Sequence, residues 1–292
     1  MSKMDIHADD YGLSLNTSKD ILAAVNAGKI NSISIMPNMN CFEETLRLWK
    51  AGEADLPISI HLNFMEGYSC GEKERLSCLV DEQGLFNISW ADLVRYNYSL
   101  RKRELVKQQL KIEVKAQMFR VIDAYHLLEG KKLRIDSHQH THMIPIVMEA
   151  ILEVIEEEKL SVEYIRISRE LVWPYMKHKE LWGNYRLVNI IKVAILNWYS
   201  RKGERMLKAL EIPPMALCGV FLSGKMSAPC VKALLPDLKK EAARLNRSLE
   251  LLFHPGSLLE KEAGREFNNE ASKRFYFSRN RKIELEAVME LK

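Results

Sequence analysis

The alternation of apolar and polar residues along the chain predicts seven short β-strands. Between most of them, apolar residues recur every three to four positions, which is the spacing of helices that pack on a sheet. The predicted strands are Met4–Asp9, Ser32–Met36, Pro57–Asn63, Leu133–His142, Val162–Ile167, Gly219–Gly224 and Leu249–Gly256. The predicted helices are Thr17–Ala27, Phe42–Ala51, Ser99–Leu128, Ile146–Glu157, Ala228–Leu245 and the end of the tail Arg274–Lys292.

A strand followed by a helix, repeated about seven times, is typical of a largely parallel α/β sheet. Such a sheet is either closed into a barrel or doubly wound. We interpret residues 1–292 as one domain with an insertion around residues 169–214 that is rich in Trp, Tyr and Lys. A helical segment in this insertion could be a lid or an additional packing element.

Composition narrows the class of protein. The formal charge is +4, small against 43 basic and 39 acidic residues, so charge gives no indication of nucleic-acid binding. Five cysteines without a CxxC spacing suggest free thiols in a reducing compartment. We find no signal-peptide pattern and no apolar segment long enough to span a membrane, so we expect a cytoplasmic protein without membrane or nucleic-acid partners.

The segment Asp136–His142 contains three alternating histidines in a chain that has eight. In a continuous strand, Asp136, His138, His140 and His142 would lie on the same face. Imidazole and carboxylate groups are ligands that divalent transition metals favour, which indicates a catalytic metal site. The alternative is a strand end that carries surface histidines.

Further candidate residues end other predicted strands. The pair Asp9 and Asp10 ends the first, His61 the third, Arg166 the fifth and His254 the seventh. The carboxyl ends of barrel strands share one rim, where active sites form, so a barrel brings these residues together. A divalent cation held there lowers the pKa of water from about 16 towards about 7 and polarises a carbonyl oxygen.

Each candidate also has a structural interpretation. Adjacent aspartates can begin a helix, and a histidine in a strand can be part of the core. Arg166 could orient Asp9, bind substrate or form a surface salt bridge. His254, before Pro255-Gly256, could donate a proton, stabilise an oxyanion or cap the turn.

Four segments taken together resemble a known family. They are His7–Ser14, Ser59–Leu62, Asp136–His142 and Phe253–Gly256, in that order. Their joint occurrence is similar to the motifs of the YdjC-like carbohydrate deacetylases, which include chitooligosaccharide deacetylases. The resemblance implies a distorted (β/α) barrel, metal-dependent hydrolysis of an acetamido group on an amino sugar or short oligosaccharide, and a homodimer.

The resemblance also implies roles for individual residues. Asp10, His61 and His138 match the ligands of one divalent metal ion, Mg²⁺ or Zn²⁺, and Asp9 matches the catalytic base. Periodicity does not choose between His138 and His140 as the ligand, so that choice depends on the resemblance alone.

The remaining positions match less closely. His254 resembles the proton-donating or oxyanion-side histidine, and His140 a substrate-pocket residue, the class in which we also place Arg166. Segments 70–87 and 169–214 depart from the family pattern, so the resemblance does not specify which sugar is bound.

Two other functions fit the same residues. One is a metal-dependent phosphoesterase or amidohydrolase, whose sites commonly hold two or more metal ions. The other is a non-catalytic sugar-binding protein on the same fold, which would bind glycans without turnover. The presence of a base beside a full ligand set argues against the binding protein, and a stoichiometry near one metal ion per chain would argue against the phosphoesterase or amidohydrolase.

Overall fold

The computed structural model describes residues 4–52, 54–128 and 132–291. The strands are β1 (Met4–Tyr11), β2 (Ser32–Ile35), β3 (Ile58–Leu62), β4 (Leu133–Ser137), β5 (Val162–Ile165), β6 (Ala216–Cys218) and β7 (Leu249–Phe253). They form one sheet in the order β5-β4-β3-β2-β1-β7-β6, and every neighbouring pair is parallel. The predicted parallel α/β class is therefore confirmed.

Helices connect the strands and cover the outer face of the sheet. The α-helices are α1 (Leu15–Asn26), α2 (Phe42–Ala51), α3 (Trp90–Asn97), α4 (Arg103–Tyr125), α5 (Pro145–Glu157), α6 (Val172–Lys177), α7 (Leu187–Lys208), α8 (Ala228–Arg244), α9 (Glu270–Tyr276) and α10 (Arg279–Glu290). Short 3-10 helices occupy Lys73–Arg75, His138–Met143, Lys179–Asn184 and Glu260–Glu262. The insertion predicted at residues 169–214 thus contains α6 and α7.

The sheet is curled, as contacts between side chains from its opposite parts show. Arg166, which directly follows β5, donates to Asp9 of β1 and Glu250 of β7 over 2.9 and 2.8 Å. Beyond β5, Glu170 forms a parallel bridge with Leu217 of the other edge strand, β6. These contacts distinguish a barrel from a doubly wound sheet, and the predicted distorted (β/α) barrel is confirmed.

The strands are buried on both faces, but only the face that packs against the helices is apolar. On the inner face, polar side chains such as His7, Ser34 and Asp136 are buried and hydrogen-bonded to one another. On the apolar face, the fully buried side chains include Ile33 of β2, Ile60 of β3, Ile135 of β4 and Leu251 of β7. Each such side chain stabilises the fold by roughly 1.5–3 kcal/mol relative to an exposed one. The carboxyl ends of the strands are therefore held on a rigid scaffold.

The predicted sixth strand, Gly219–Gly224, is wrong. The strand is the preceding segment, β6, and the chain then turns. The amides of Gly219 and Phe221 donate to the buried carboxylate of Glu170, over 2.8 and 2.6 Å, instead of to a neighbouring strand. An apolar segment can thus be buried in a turn when a side chain accepts its backbone hydrogen bonds.

Two expectations from composition can be compared with the structure. All five cysteines are free, as their irregular spacing predicted. Among the helices of the described residues, none has both the length and the apolar character needed to cross a bilayer.

The turn after β1 depends on a glycine. Gly12 has φ +94°, and a Cβ atom there would lie 2.9 Å from the backbone oxygen of Met36. We expect Gly12→Ala to lower the free energy of unfolding by about 1–3 kcal/mol, because it adds a backbone clash to an unfavourable φ. Urea denaturation measures the loss.

Gly28→Ala is the matched control for this substitution. Gly28 also has a positive φ, +67°, but no atom lies within 4 Å of its added Cβ. Gly28→Ala therefore measures the loss in the free energy of unfolding that a positive φ causes by itself, about 1 kcal/mol. Equal losses in the two variants would show that the contact with Met36 has no part in the effect.

Candidate metal centre and cavity

The end of β1 carries two consecutive buried carboxylates. The register with β2 shifts between Ala8 and Tyr11, and Asp10 adopts a left-handed backbone conformation with φ 71°. Strand alternation would place consecutive side chains on opposite faces. Because of the irregular backbone, Asp9 and Asp10 instead line the same cavity.

Asp10, His61 and His138 meet at the carboxyl ends of β1, β3 and β4. One ligand atom from each lies within 4.8 Å of the other two. Asp10 Oδ1 is 3.4 Å from His61 Nε2 and 3.0 Å from His138 Nδ1. The second oxygen of Asp10 accepts a hydrogen bond from Arg281 Nη1 at 2.7 Å. One carboxylate oxygen and two imidazole nitrogens therefore converge.

Hydrogen bonding fixes which nitrogen of His61 faces this cluster. Its Nδ1 lies 2.6 Å from Asp136 Oδ1 and donates to it. Its Nε2 is buried and has no hydrogen-bond partner among the described residues, although Asp10 lies opposite. A buried ring nitrogen without a partner, 3.4 Å from a carboxylate oxygen, leaves a place that a cation would occupy, and the other nitrogen is held as metal-ligating histidines commonly are.

The second imidazole is held in a similar way. His138 Nε2 lies 2.8 Å from the hydroxyl of Tyr276, which itself donates to Glu66 Oε1 at 3.0 Å. On the other side of the ring, Nδ1 lies within hydrogen-bond distance of Asp10 Oδ1, 3.0 Å away. Both imidazoles thus direct one nitrogen at the same carboxylate oxygen, and with these nitrogens deprotonated the donor set fits one divalent cation.

The charges around His61 also favour a cation. Burial alone would lower the pKa of His61, but Asp9, Asp136 and Asp10 together raise it to about 10. Three carboxylates that stabilise a proton at this position equally stabilise a metal ion in its place.

Asp9 lies beside the cluster and is held from the opposite side. Its two oxygens accept hydrogen bonds from Arg166 Nη1 and Nη2, each at 2.9 Å. Burial alone would raise the pKa of Asp9, but Arg166, His61 and His7 hold it well below its ordinary value. Asp9 is therefore a carboxylate at neutral pH, 4.0 Å from His61 Nε2 and 4.0 Å from His254 Nε2.

Arg166 is only 1% exposed. Besides Asp9, its guanidinium contacts Asp136 and Glu250, 3.0 and 2.7 Å away. It does not line the cavity. This burial excludes a surface salt bridge and speaks against the substrate contact expected from the sequence. Of the roles that the sequence left open, the geometry favours orientation of Asp9.

His254 also lines the cavity, close to Asp9. Its backbone amide donates to Glu284 Oε2 at 2.6 Å, and its Nδ1 lies 3.5 Å from the same oxygen. Glu284 thus fixes the turn after β7, whereas the ring Nδ1 has no hydrogen-bond partner among the described residues and Nε2 faces Asp9. This position suits the proton-donating role predicted for His254.

The histidines after His138 do not share one face, contrary to the strand alternation. Strand β4 ends at Ser137, and Gln139 and His140 adopt positive φ. His140 still lines the cavity, with Nδ1 2.8 Å from Ser168 Oγ, but lies outside the ligand cluster. His142 is buried and bonded to Ser137 Oγ and the backbone oxygen of Arg166.

The cavity itself has a volume of about 420 Å³. Asp9 and Asp10 line it together with His138, His140 and His254. Residues of helices remote in sequence also line it: Val188, Asn189 and Lys192 of α7 and Phe275 of α9. The cavity is thus shared between the strand ends, the C-terminal helices and segment 169–214.

Sequence reasoning missed four residues that support the candidate ligands and His254, three of them in the C-terminal region. Arg281, Tyr276, Glu66 and Glu284 belong to none of the recognised motifs. One signal was available: Arg281 and Glu284 share a face of α10 with Val288, at the spacing of a buried stripe, and all three are 0% exposed. Charged residues on a core-facing stripe indicate buried partners.

The comparisons with known proteins agree with this geometry. The sequence profile of a family described as YdjC-like protein matches residues 3–291. A carbohydrate deacetylase from Xenopus laevis is 25% identical over 285 residues, which cover 90% of this chain and 83% of that protein. One from Brevibacillus brevis is 30% identical over 165 residues, 56% of this chain and 59% of that protein.

A solved structure is similar in fold. It is a protein from Enterococcus faecalis V583 that has been proposed to cleave cellobiose phosphate. The TM-score is 0.60, and the match covers 99% of this chain and 96% of the other. At 17% sequence identity, this similarity shows the fold alone.

Proposed function

The chain belongs to the YdjC-like family, and from this premise we propose that it is a metal-dependent hydrolase that removes the acetyl group from an N-acetylated amino sugar or short oligosaccharide. Relatives named carbohydrate deacetylases support the reaction class. The observation that carries the proposal is the convergence of one nitrogen of His61 and one of His138 on the carboxylate of Asp10, beside the carboxylate of Asp9.

Asp10, His61 and His138 would hold one divalent cation. Two imidazoles and a carboxylate suit Zn²⁺ by ligand softness, and the family resemblance also allows Mg²⁺. Such an ion supplies Lewis acidity, which lowers the pKa of water from about 16 towards about 7 and lets a carboxylate of low pKa such as Asp9 accept a proton.

Asp9 is the general base of the proposed reaction. It accepts a proton from the water whose oxygen forms the new bond to the acetamide carbon. Arg166 binds both carboxylate oxygens and so fixes the orientation of Asp9 without entering the cavity. Arg166 is therefore a positioning residue.

His254 completes the hydrolysis. The carbon–nitrogen bond of the tetrahedral species breaks, acetate forms, and His254 donates a proton to the departing sugar nitrogen. Glu284 anchors its backbone amide, and its Nε2 lies 4.0 Å from Asp9, so base and acid can act on one reacting group. His140 lines the same cavity and would contact the sugar.

Acetate release tests this proposal directly. We expect activity on a screen of mono- to tetrasaccharides of N-acetylglucosamine, about one metal ion per chain, and loss of activity after chelation that Zn²⁺ or Mg²⁺ restores. Full activity in metal-free protein would refute metal dependence. Two metal ions per chain with phosphate-ester hydrolysis would favour the phosphoesterase alternative.

Two further expectations from the sequence stay predictions. They are a homodimer and a cytoplasmic location. Both can be measured on the native protein, by light scattering and by cell fractionation.

A further inference from the structure

Exposed apolar side chains are concentrated in the insertion. Eleven of the eighteen large hydrophobic residues that are exposed among the described residues lie between positions 169 and 214. Three are tryptophans, Trp173, Trp182 and Trp198, which are 68%, 46% and 58% exposed. Contiguous exposed apolar surface commonly marks an interaction site.

Helix α7 carries the centre of this surface. One face of the helix is buried against the barrel through residues such as Val193 and Leu196. The opposite face presents Leu187, Ile191 and Trp198, at 73%, 52% and 58% exposure. These positions follow a helical period, so they form one stripe. The first turns of α7 thus carry apolar side chains on both faces, although only one face packs against the rest of the protein.

The same face of α7 becomes basic towards its C-terminal end. Arg201, Arg205 and Lys208 are exposed there, and no ion pair engages them within the part of the chain that the structure describes. The segment 169–214 has nine basic and four acidic residues, a net charge of +5, whereas the whole chain has +4. The excess positive charge of the protein therefore lies on this segment.

This surface is poorly suited to bind a second copy of the chain. A two-fold symmetric dimer would place this patch against itself, and the unpaired arginines and lysine of both copies would approach one another. Like charges brought together in an interface are destabilising. An anionic partner suits the surface better.

We propose that residues 172–208 dock the protein on an anionic lipid bilayer, contrary to the expectation from the sequence that it has no membrane partner. Apolar side chains with tryptophan, next to unpaired basic residues, are the features of helices that lie at a membrane surface. Basic residues near such a surface are attracted by anionic headgroups. The protein would bind peripherally, with the stripe Leu187, Ile191 and Trp198 in the interface.

Docking through α7 has a consequence for the substrate. Val188, Asn189 and Lys192 of the same helix line the cavity, so the cavity would lie close to the lipid surface. If the proposed deacetylase function holds, the preferred substrate is an N-acetylated amino sugar attached to a lipid, whose apolar part stays in the bilayer.

Vesicle flotation tests the docking without any assay of activity. We expect the protein to bind vesicles that contain phosphatidylglycerol, to bind phosphatidylcholine vesicles more weakly, and to be released by salt. The double variant Leu187→Ser with Ile191→Ser should bind at least about tenfold more weakly, because two apolar side chains no longer enter the interface. Neither residue lines the cavity.

The matched control is Leu128→Ser with Met289→Ser. These side chains are 50% and 42% exposed. Both lie outside the insertion: Leu128 follows α4, and Met289 lies near the C-terminal end of α10. The control should bind like the wild type. Absence of vesicle binding, equal loss in both double variants, or a dimer that only the α7 variant dissociates would overturn the docking proposal.

An acetate-release assay tests the substrate. An N-acetylglucosaminide with a long alkyl chain, embedded in the same vesicles, should be cleaved faster than free N-acetylglucosamine, and the α7 variant should lose this advantage while it retains activity on the free sugar. No advantage for the embedded sugar would overturn the lipid-linked substrate. Vesicle binding without cleavage of either sugar would refute the deacetylase proposal and leave the docking standing.

Discussion

Replacing Asp9 by Asn is expected to lower kcat for acetate release by about 10²–10⁴-fold, the contribution typical of a positioned general base. Asparagine keeps the shape of the side chain but accepts no proton from water. Arg166 retains Asp136 and Glu250 as partners, so the substitution leaves no buried guanidinium without a carboxylate. Steady-state kinetics on the best substrate of the screen measures the change, and metal analysis should still give about one ion per chain.

Asp5→Asn is the matched control for this variant. Asp5 lies on the same strand, is also buried, and is also paired with an arginine, Arg134, at 2.9 Å. It lies at the opposite end of β1, away from the cluster, so its loss should lower stability and leave kcat close to the wild-type value. If Asp9→Asn keeps more than about a tenth of the wild-type kcat, Asp9 is not the base.

The apolar–polar pattern of the sequence predicted much of the sheet, because the burial of side chains determines both this pattern and the positions of the strands. Strands β1, β3 and β7 lie where alternating or apolar segments indicated them. The sixth strand was misplaced because Val220, Phe221 and Leu222 are as buried as strand residues, at 2%, 4% and 0% exposure. Periodicity detects burial, and it does not detect that Glu170 rather than a strand accepts the backbone hydrogen bonds there.

The sequence predicted less of the site, because the site depends on backbone irregularities. Candidate residues at strand ends were correctly expected to meet at one rim, and the structure brings Asp10, His61 and His138 together. Alternation could not separate His138 from His140, since the left-handed conformations at Gln139 and His140 are what redirect the later side chains. Such conformations follow from tertiary packing rather than from a local pattern.

Distance along the chain sets a second limit. Arg281 holds one oxygen of Asp10 although 271 residues separate them. A buried arginine–carboxylate pair of this kind requires the whole barrel to form first, and no local spacing encodes it. The four recognised motifs contain the groups nearest the reaction, whereas the residues that orient them are dispersed over β5, β7, α9 and α10.

Replacing His138 by Ala is expected to remove the metal ion and reduce acetate release to background. The variant lacks one of three ligands, and a cation held by two protein ligands dissociates during purification or dialysis. Metal analysis after dialysis should fall from about one ion per chain to well below it. Circular dichroism checks that the barrel is folded.

The control for that variant comes from the same motif. His142 is equally buried, but its ring is bonded to Ser137 and to the backbone of Arg166, outside the ligand cluster. His142→Ala should therefore destabilise the fold, by leaving the Arg166 carbonyl without its partner, and still bind one metal ion. Because the two variants delete the same chemical group four residues apart, retention of metal in His138→Ala together with its loss in His142→Ala would show that the cation lies elsewhere, and the proposed reaction would lose its Lewis acid.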